Sequence, residues 1–211
     1  AIWCGNPNNP TGHVIPKKEL VEYIQKHPEQ VFVFDQSYAS FSPKEVLSAR
    51  EALSLGNVIL VQSLTKSFAI PGLRLGYLVS NATTLEGIRA LSHPWSVNTL
   101  AIEAGKWLLR NQALYEGIEA QLLKSSRTLR AKLSSFPWLS IVPTDTHFFI
   151  FHFEVSGATS ADLKEWLARE RGILVRDATN MGALGSACIR VASQGEEADQ
   201  ALVDALRDWY Q

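Results

Sequence analysis

Asn57-Val58-Ile59-Leu60-Val61-Gln62-Ser63-Leu64-Thr65-Lys66 runs without a charge into a lysine, and Arg74 follows within Pro71-Gly72-Leu73-Arg74-Leu75-Gly76-Tyr77. The first stretch reads as a buried strand and the second as a turn leading back into another strand. A lysine at the end of a buried strand is expected to be partly desolvated, which disfavours its ammonium form and frees the amine to attack a carbonyl. Schiff-base chemistry follows from that placement. The hydroxyls of Ser63 and Thr65 and the guanidinium of Arg74 are donors suited to a phosphate, which arginine grips with two parallel hydrogen bonds. Without these neighbours, Lys66 would read as one more solvated surface charge.

Working outward, the neighbouring segments alternate. Ala1 to Cys4 is an apolar run that enters Gly5-Asn6-Pro7-Asn8-Asn9-Pro10-Thr11-Gly12, a cluster of turn formers that no strand can continue through. Pro16 opens a helical pattern through Leu20, Tyr23 and Ile24, and Val31-Phe32-Val33-Phe34 is a short strand ending at Asp35. A helix is expected from Pro43 to about Leu53. Strands alternating with helices predict crossover units and a mainly parallel α/β sheet. From Leu100 to Leu129 apolar positions recur at helical intervals, as one long helix or two in succession. Beyond Pro137 the pattern changes: strands at 139–142, 148–153, 173–176 and 188–192 frame a helix at 160–169, and a last helix runs over 196–209. This predicts a smaller α+β unit over residues 126–211, after a first domain over 1–125.

The chain has 211 residues, 46% of them hydrophobic, enough for a substantial core. Its 20 Lys and Arg against 21 Asp and Glu leave no bulk field for nucleic acid or an anionic membrane, so any anion site is local. Cys4 and Cys188 lie far apart without metal-ligand spacing, which argues against a disulfide framework or a metal site. Both are expected to be small buried hydrophobes in a reducing cytosol. No apolar stretch reaches membrane-spanning length and no signal peptide is evident, so a soluble, cytoplasmic protein is expected.

In open α/β sheets ligands gather beyond the carboxyl ends of the strands, which directs Asp35 and Lys66 to one crevice, with Asn9 on the loop after the first strand. A carboxylate buried beside a pyridine nitrogen keeps it protonated and makes the ring an electron sink, the chemistry of pyridoxal 5'-phosphate. Each residue also has a plainer reading. Asp35 alone is a strand-end turn residue or helix cap, Tyr38 a core aromatic, Asn9 a turn residue, and Arg190 a strand arginine in a surface ion pair.

Asn6-Pro7-Asn8-Asn9-Pro10-Thr11-Gly12, Asp35 with Tyr38, Ser63-Leu64-Thr65-Lys66, Arg74 and Ile189-Arg190-Val191 resemble, in order and spacing, the class I/II aminotransferases of fold type I. The resemblance implies that Lys66 carries pyridoxal phosphate as a Schiff base and that Asp35 pairs with its ring nitrogen. Asn9 and Tyr38 would bond the ring oxygen, Ser63, Thr65 and Arg74 the phosphate, and Arg190 the substrate α-carboxylate.

Within the family, the likeness is to the group of histidinol-phosphate aminotransferases and threonine-phosphate decarboxylases. The stretch from Leu64 to Tyr77 and Pro94-Trp95-Ser96-Val97-Asn98 tilt it to the decarboxylases, which implies release of carbon dioxide from L-threonine O-3-phosphate in cobalamin biosynthesis. Asn98 and Arg176 would then face the substrate, although Arg176 reads equally well as a partner of Asp177. A homodimer is implied, as is a phosphorylated amino-acid substrate.

Two features depart from the family. Its members carry more sequence before the Asn-Pro loop, which marks this chain as one lacking the N-terminal part of the large domain and leaves open a non-catalytic protein of the same fold. Thr146-His147-Phe148 stands where an asparagine often precedes the aromatic; His147 reads as a structural histidine or a substrate contact.

Overall fold

The computed structural model describes residues 1–181 and 184–210. These form two compact units, one of Ala1–Asn8 with Val14–Ile118 and one of Asn9–His13 with the chain from Glu119 onward.

In the first unit β1 (Ile2–Gly5), β2 (Phe32–Asp35), β3 (Val58–Ser63) and β4 (Gly76–Val79) form a sheet in that order. The β1–β2 and β2–β3 pairs are parallel and β3–β4 is antiparallel, so the sheet is mainly parallel as expected. Phe32, Val33 and Phe34 are all buried, the pattern of a strand covered on both faces. Helix α1 (Lys17–Lys26) lays Leu20 and Ile24, one turn apart, on the core formed by Phe32, Phe34, Leu47, Ala52, Val58 and Leu60. Burial of each such side chain contributes about 1.5–3 kcal/mol. Gly76 sits so close to β3 that a Cβ would lie 2.6 Å from the Gln62 carbonyl oxygen, which is why the return strand begins at a glycine.

Helix α2 (Ala49–Leu55) starts six residues later than Pro43 led us to expect. Ser48 and Glu51 form a capping box: the Ser48 hydroxyl accepts from the Glu51 N–H at 3.2 Å and the Glu51 carboxylate accepts from the Ser48 N–H at 2.8 Å. Those hydrogen bonds, with Lys17 beside them, hold the Glu51 carboxyl down to about 2. Helix α3 (Leu64–Ser67) is a single turn after β3, and α4 (Ala82–Leu91) follows β4. The long apolar periodicity resolves into α5 (Thr99–Arg110) and α6 (Ile118–Leu133), separated by a 3₁₀ turn and by Gly117 at φ +83°.

The second unit contains an antiparallel sheet in the order β5-β6-β8-β7: β5 (Leu139–Ile141), β6 (Phe148–Phe153), β7 (Arg176–Asp177) and β8 (Cys188–Ala192). Helix α7 (Ser160–Arg171) and helix α8 (Glu196–Tyr210) supply Leu163, Leu167, Leu202, Val203 and Leu206 to the core around Phe149, Phe151 and Ile189. The strand expected at 173–176 is confined to Arg176 and Asp177. Gly172 closes α7 in the left-handed region at φ +66°, and the Ile173 N–H returns to the Leu167 carbonyl at 2.9 Å, so Ile173 serves the helix end. Cys188 is buried as expected, its thiol pushed up to about 11 by burial and by Asp177, whereas Cys4 is only half-buried.

Candidate active site

Parallel pairing puts the carboxyl ends of β2 and β3 on one edge of the first sheet, with Asp35 opposite Val61. From that edge β2 continues into Ser37 and Tyr38, and β3 into Ser63, Thr65 and Lys66. Lys66 Nζ stands 5.9 Å from the centroid of the Tyr38 ring, so the amine and the phenol are brought together. The expected partial desolvation of the lysine is not seen: Lys66 is exposed, in the single turn of helix that follows the strand, where its neighbours Leu64 and Thr65 are buried. Asp35 is likewise exposed rather than buried. Its Oδ1 accepts from the N–H and hydroxyl of Ser37 at 2.9 and 2.5 Å, the strand-end turn that its plainer reading described. Ser37 is a partner that the sequence alone did not single out, although Asp followed two residues later by Ser is the signature of such a turn.

Ser63 caps α3 by accepting from the Thr65 N–H at 3.3 Å, and the two hydroxyls share a short hydrogen bond. Arg74 is held in the left-handed region at φ +55° and donates from Nη1 to the Pro71 carbonyl at 2.9 Å. That contact uses one of five guanidinium N–H donors, leaving the fork able to grip an anion. Asn98 is exposed and caps α5, accepting from the Ala101 N–H at 2.8 Å, while its Nδ2 donates to the Leu73 carbonyl at 3.4 Å. An exposed amine, a carboxylate, a phenol and a guanidinium with adjacent hydroxyls are the donor set that pyridoxal phosphate requires: one nucleophile for its aldehyde, one acid for its ring and several donors for its phosphate.

In the second unit, Arg190 on β8 donates from Nη1 to Asn9 Oδ1 at 2.6 Å, and its guanidinium lies 5.4 Å from the centroid of the Phe148 ring. The β7–β8 register puts Arg176 directly opposite Arg190. Like charges at facing positions oppose each other unless an anion is shared, so this is an arrangement suited to a doubly anionic ligand. Arg176 does not pair with Asp177: its Nη2 donates to Asn180 Oδ1 at 3.3 Å, and Asp177 Oδ1 accepts from Thr179.

His147 precedes Phe148, and its ring meets that of Phe148 edge-on at 5.3 Å. Burial, reinforced by the charge of Arg190, holds the imidazole down to about 4 from its ordinary 6.5. The fold therefore favours the neutral ring, and between pH 6.5 and about 4 the unfolded chain binds more protons, so stability rises with pH across that window and is lost on acidification. His147→Asn is expected to flatten that dependence. Urea midpoints compared at neutral pH and near pH 5 check it, with the wild type losing more than the variant.

Among the described residues no helix is long and apolar enough to cross a membrane, and no group of three or more His, Cys, Asp or Glu is placed to hold a metal ion. A protein-family model described as aminotransferase class I and II matches residues 1–206. Histidinol-phosphate aminotransferase of Thermoanaerobacter sp. is 31% identical over 207 residues, covering 98% of this chain and 56% of the relative. The crystal structure of L-threonine-O-3-phosphate decarboxylase from Porphyromonas gingivalis is 32% identical with a TM-score of 0.93, covering 98% of this chain and 63% of that one. Histidinol-phosphate aminotransferase from Sinorhizobium meliloti, solved in complex with pyridoxal-5'-phosphate, shares the fold at 20% identity and a TM-score of 0.84, covering 98% of this chain and 57% of that one. The chain thus spans little more than half the length of the curated relatives it matches.

Proposed function

The chain belongs to the class I and II aminotransferase family, and from that premise we propose that the whole protein is a pyridoxal-phosphate enzyme that decarboxylates L-threonine O-3-phosphate. The observation that carries the cofactor reading is the convergence of Asp35, Tyr38 and Lys66 on one sheet edge, with Lys66 Nζ 5.9 Å from the Tyr38 ring. Lys66 would hold the cofactor covalently, Asp35 would keep its ring nitrogen protonated, Asn9 and Tyr38 would bond its ring oxygen, and Ser63, Thr65 and Arg74 would hold its phosphate. When bound, the cofactor supplies a ring that stabilises negative charge developing on the carbon next to the substrate amine.

Arg190 grips the substrate α-carboxylate, and Arg176, its cross-strand neighbour, the phosphate, with Asn98 on the substrate side. These clamps choose the reaction by orientation. If they presented the carboxylate for cleavage, carbon dioxide would leave; if they presented the hydrogen, the Lys66 amine, freed once the substrate amine has taken its place on the cofactor aldehyde, would take the proton and transamination would follow. The likeness to the Porphyromonas gingivalis decarboxylase supports the first choice, and the family's histidinol-phosphate aminotransferases supply the second. By the same likeness the enzyme works as a cytoplasmic homodimer that serves cobalamin biosynthesis.

The test is to supply the natural full-length protein with pyridoxal phosphate and offer it threonine phosphate or histidinol phosphate with 2-oxoglutarate. Carbon dioxide from the first is expected. Glutamate from the second, with no carbon dioxide from the first, would overturn the decarboxylase reading while leaving the cofactor reading intact.

A further inference from the structure

The backbone ladder between β2 and β3 stops short of the residues that carry the chemistry. Its last registered pair is Asp35 opposite Val61, followed by one hydrogen bond from the Gln36 N–H to the Val61 carbonyl at 2.9 Å. Past that point the β2 side turns through a 3₁₀ segment, Ala39–Phe41, and the β3 side enters α3. Nothing in the ladder itself fixes Tyr38 against Lys66.

Two side-chain links bridge the gap. Gln62 Nε2 donates to Gln36 Oε1 at 2.6 Å, and Gln36 Nε2 donates onward to the Leu47 carbonyl at 2.9 Å. Gln36 is 2% exposed and Leu47 1%, so this relay runs through the interior, where hydrogen bonds are stronger and an unpaired amide is costly. Further out, the hydroxyls of Ser40 and Ser67 share a hydrogen bond at 2.9 Å. The glutamines stand 26 positions apart, the offset of the Asp35–Val61 register, and the serines 27. The glutamine link therefore continues the strand register in side chains before Tyr38 and Lys66, and the serine link, one position off that register, ties the two segments together again after them.

We infer that Gln36, Gln62, Ser40 and Ser67 are positioning residues that tie the segments after β2 and β3 together beyond their ladder and hold Asp35 and Tyr38 in place against Lys66. The functional half of this inference rests on the cofactor reading above. Groups that grip a ligand must be held to within about half an ångström, and a displacement of about 1 Å costs on the order of a hundredfold. Gln62→Met keeps the side-chain volume and removes the donor to Gln36. Ser67→Ala cuts the outer link, and Ser67→Thr restores a hydroxyl.

The experiment uses the natural full-length protein and reads two quantities. In the cofactor-free protein, Gln62→Met is expected to speed amide hydrogen exchange at residues 37–41, across the gap from the substitution, at least about tenfold, while α1 keeps its wild-type rates. Pyridoxal phosphate, followed by quenching of protein fluorescence, is expected to bind about tenfold or more weakly. Ser67→Ala shifts both quantities in the same direction by less, and Ser67→Thr returns both towards wild type. Unchanged exchange at 37–41 in Gln62→Met and Ser67→Ala would overturn the inference, as would faster exchange spread evenly over the unit, or local loosening with wild-type cofactor affinity. If the wild type itself fails to bind pyridoxal phosphate, the cofactor reading falls, and the exchange pattern alone decides whether these links tie the segments together.

Discussion

Gly12→Ala is expected to destabilise the second unit by about 2–5 kcal/mol, combining backbone strain with overpacking. Gly12 sits at φ +73°, where a Cβ is strained whatever the space around it, and the space is occupied. An added Cβ would lie 1.9 Å from Thr144 Oγ1 and 2.5 Å from Thr146 Oγ1. Neither hydroxyl is free to retreat, since both donate to the Phe148 carbonyl, at 2.9 and 3.1 Å, and Thr144 Oγ1 also accepts from the Thr146 N–H. The Asp145 N–H is bonded to the Gly12 carbonyl at 3.1 Å, which ties the loop in place. That loop also carries Asn9, the partner of Arg190, so the Asn9–Arg190 contact should loosen with it. Urea unfolding checks the loss, and adding Thr144→Ala should recover the part due to the nearest clash while leaving the cost of the positive φ.

Lys66→Ala should leave stability within about 0.5 kcal/mol of wild type, because the side chain is exposed and its contact within the fold is with the Tyr38 ring. On the proposed role, turnover of the full-length protein should nonetheless fall by about 10²–10⁴-fold or more, since the amine would be the covalent anchor of the cofactor. Lys66→Arg should not rescue it: a guanidinium stays protonated and offers no amine to an aldehyde. Carbon dioxide release measured beside a thermal melt separates the two effects. Wild-type turnover in Lys66→Ala would remove the lysine from the chemistry.

Strand positions were legible where apolar residues ran together, as at Phe32-Val33-Phe34 and Phe148 to Phe151, because burial on both faces selects apolar side chains. Helix starts were less so. Pro43 drew the start of α2 forward, while the capping box of Ser48 and Glu51, visible as a spacing, sets it by satisfying otherwise unpaired N–H groups. Residues 173–175 have strand propensity, but Ile173 bonds back to the end of α7 and Val175 packs into the core, so the strand pairing begins only at Arg176.

The candidate site shows the same division. That Lys66 and Asp35 share a sheet edge follows from two parallel strands, yet their exposure depends on what surrounds them and could not be read from the run leading to each. The relay through Gln36 and Gln62 has no motif at all. It becomes visible only when the strand register brings two ordinary glutamines within 2.6 Å.

Borohydride reduction of the natural full-length protein supplied with pyridoxal phosphate, followed by peptide mapping, tests the central claim most directly. The account predicts a pyridoxyl group fixed on Lys66. Label on other lysines with Lys66 unmodified, or no fixed label at all, would contradict it.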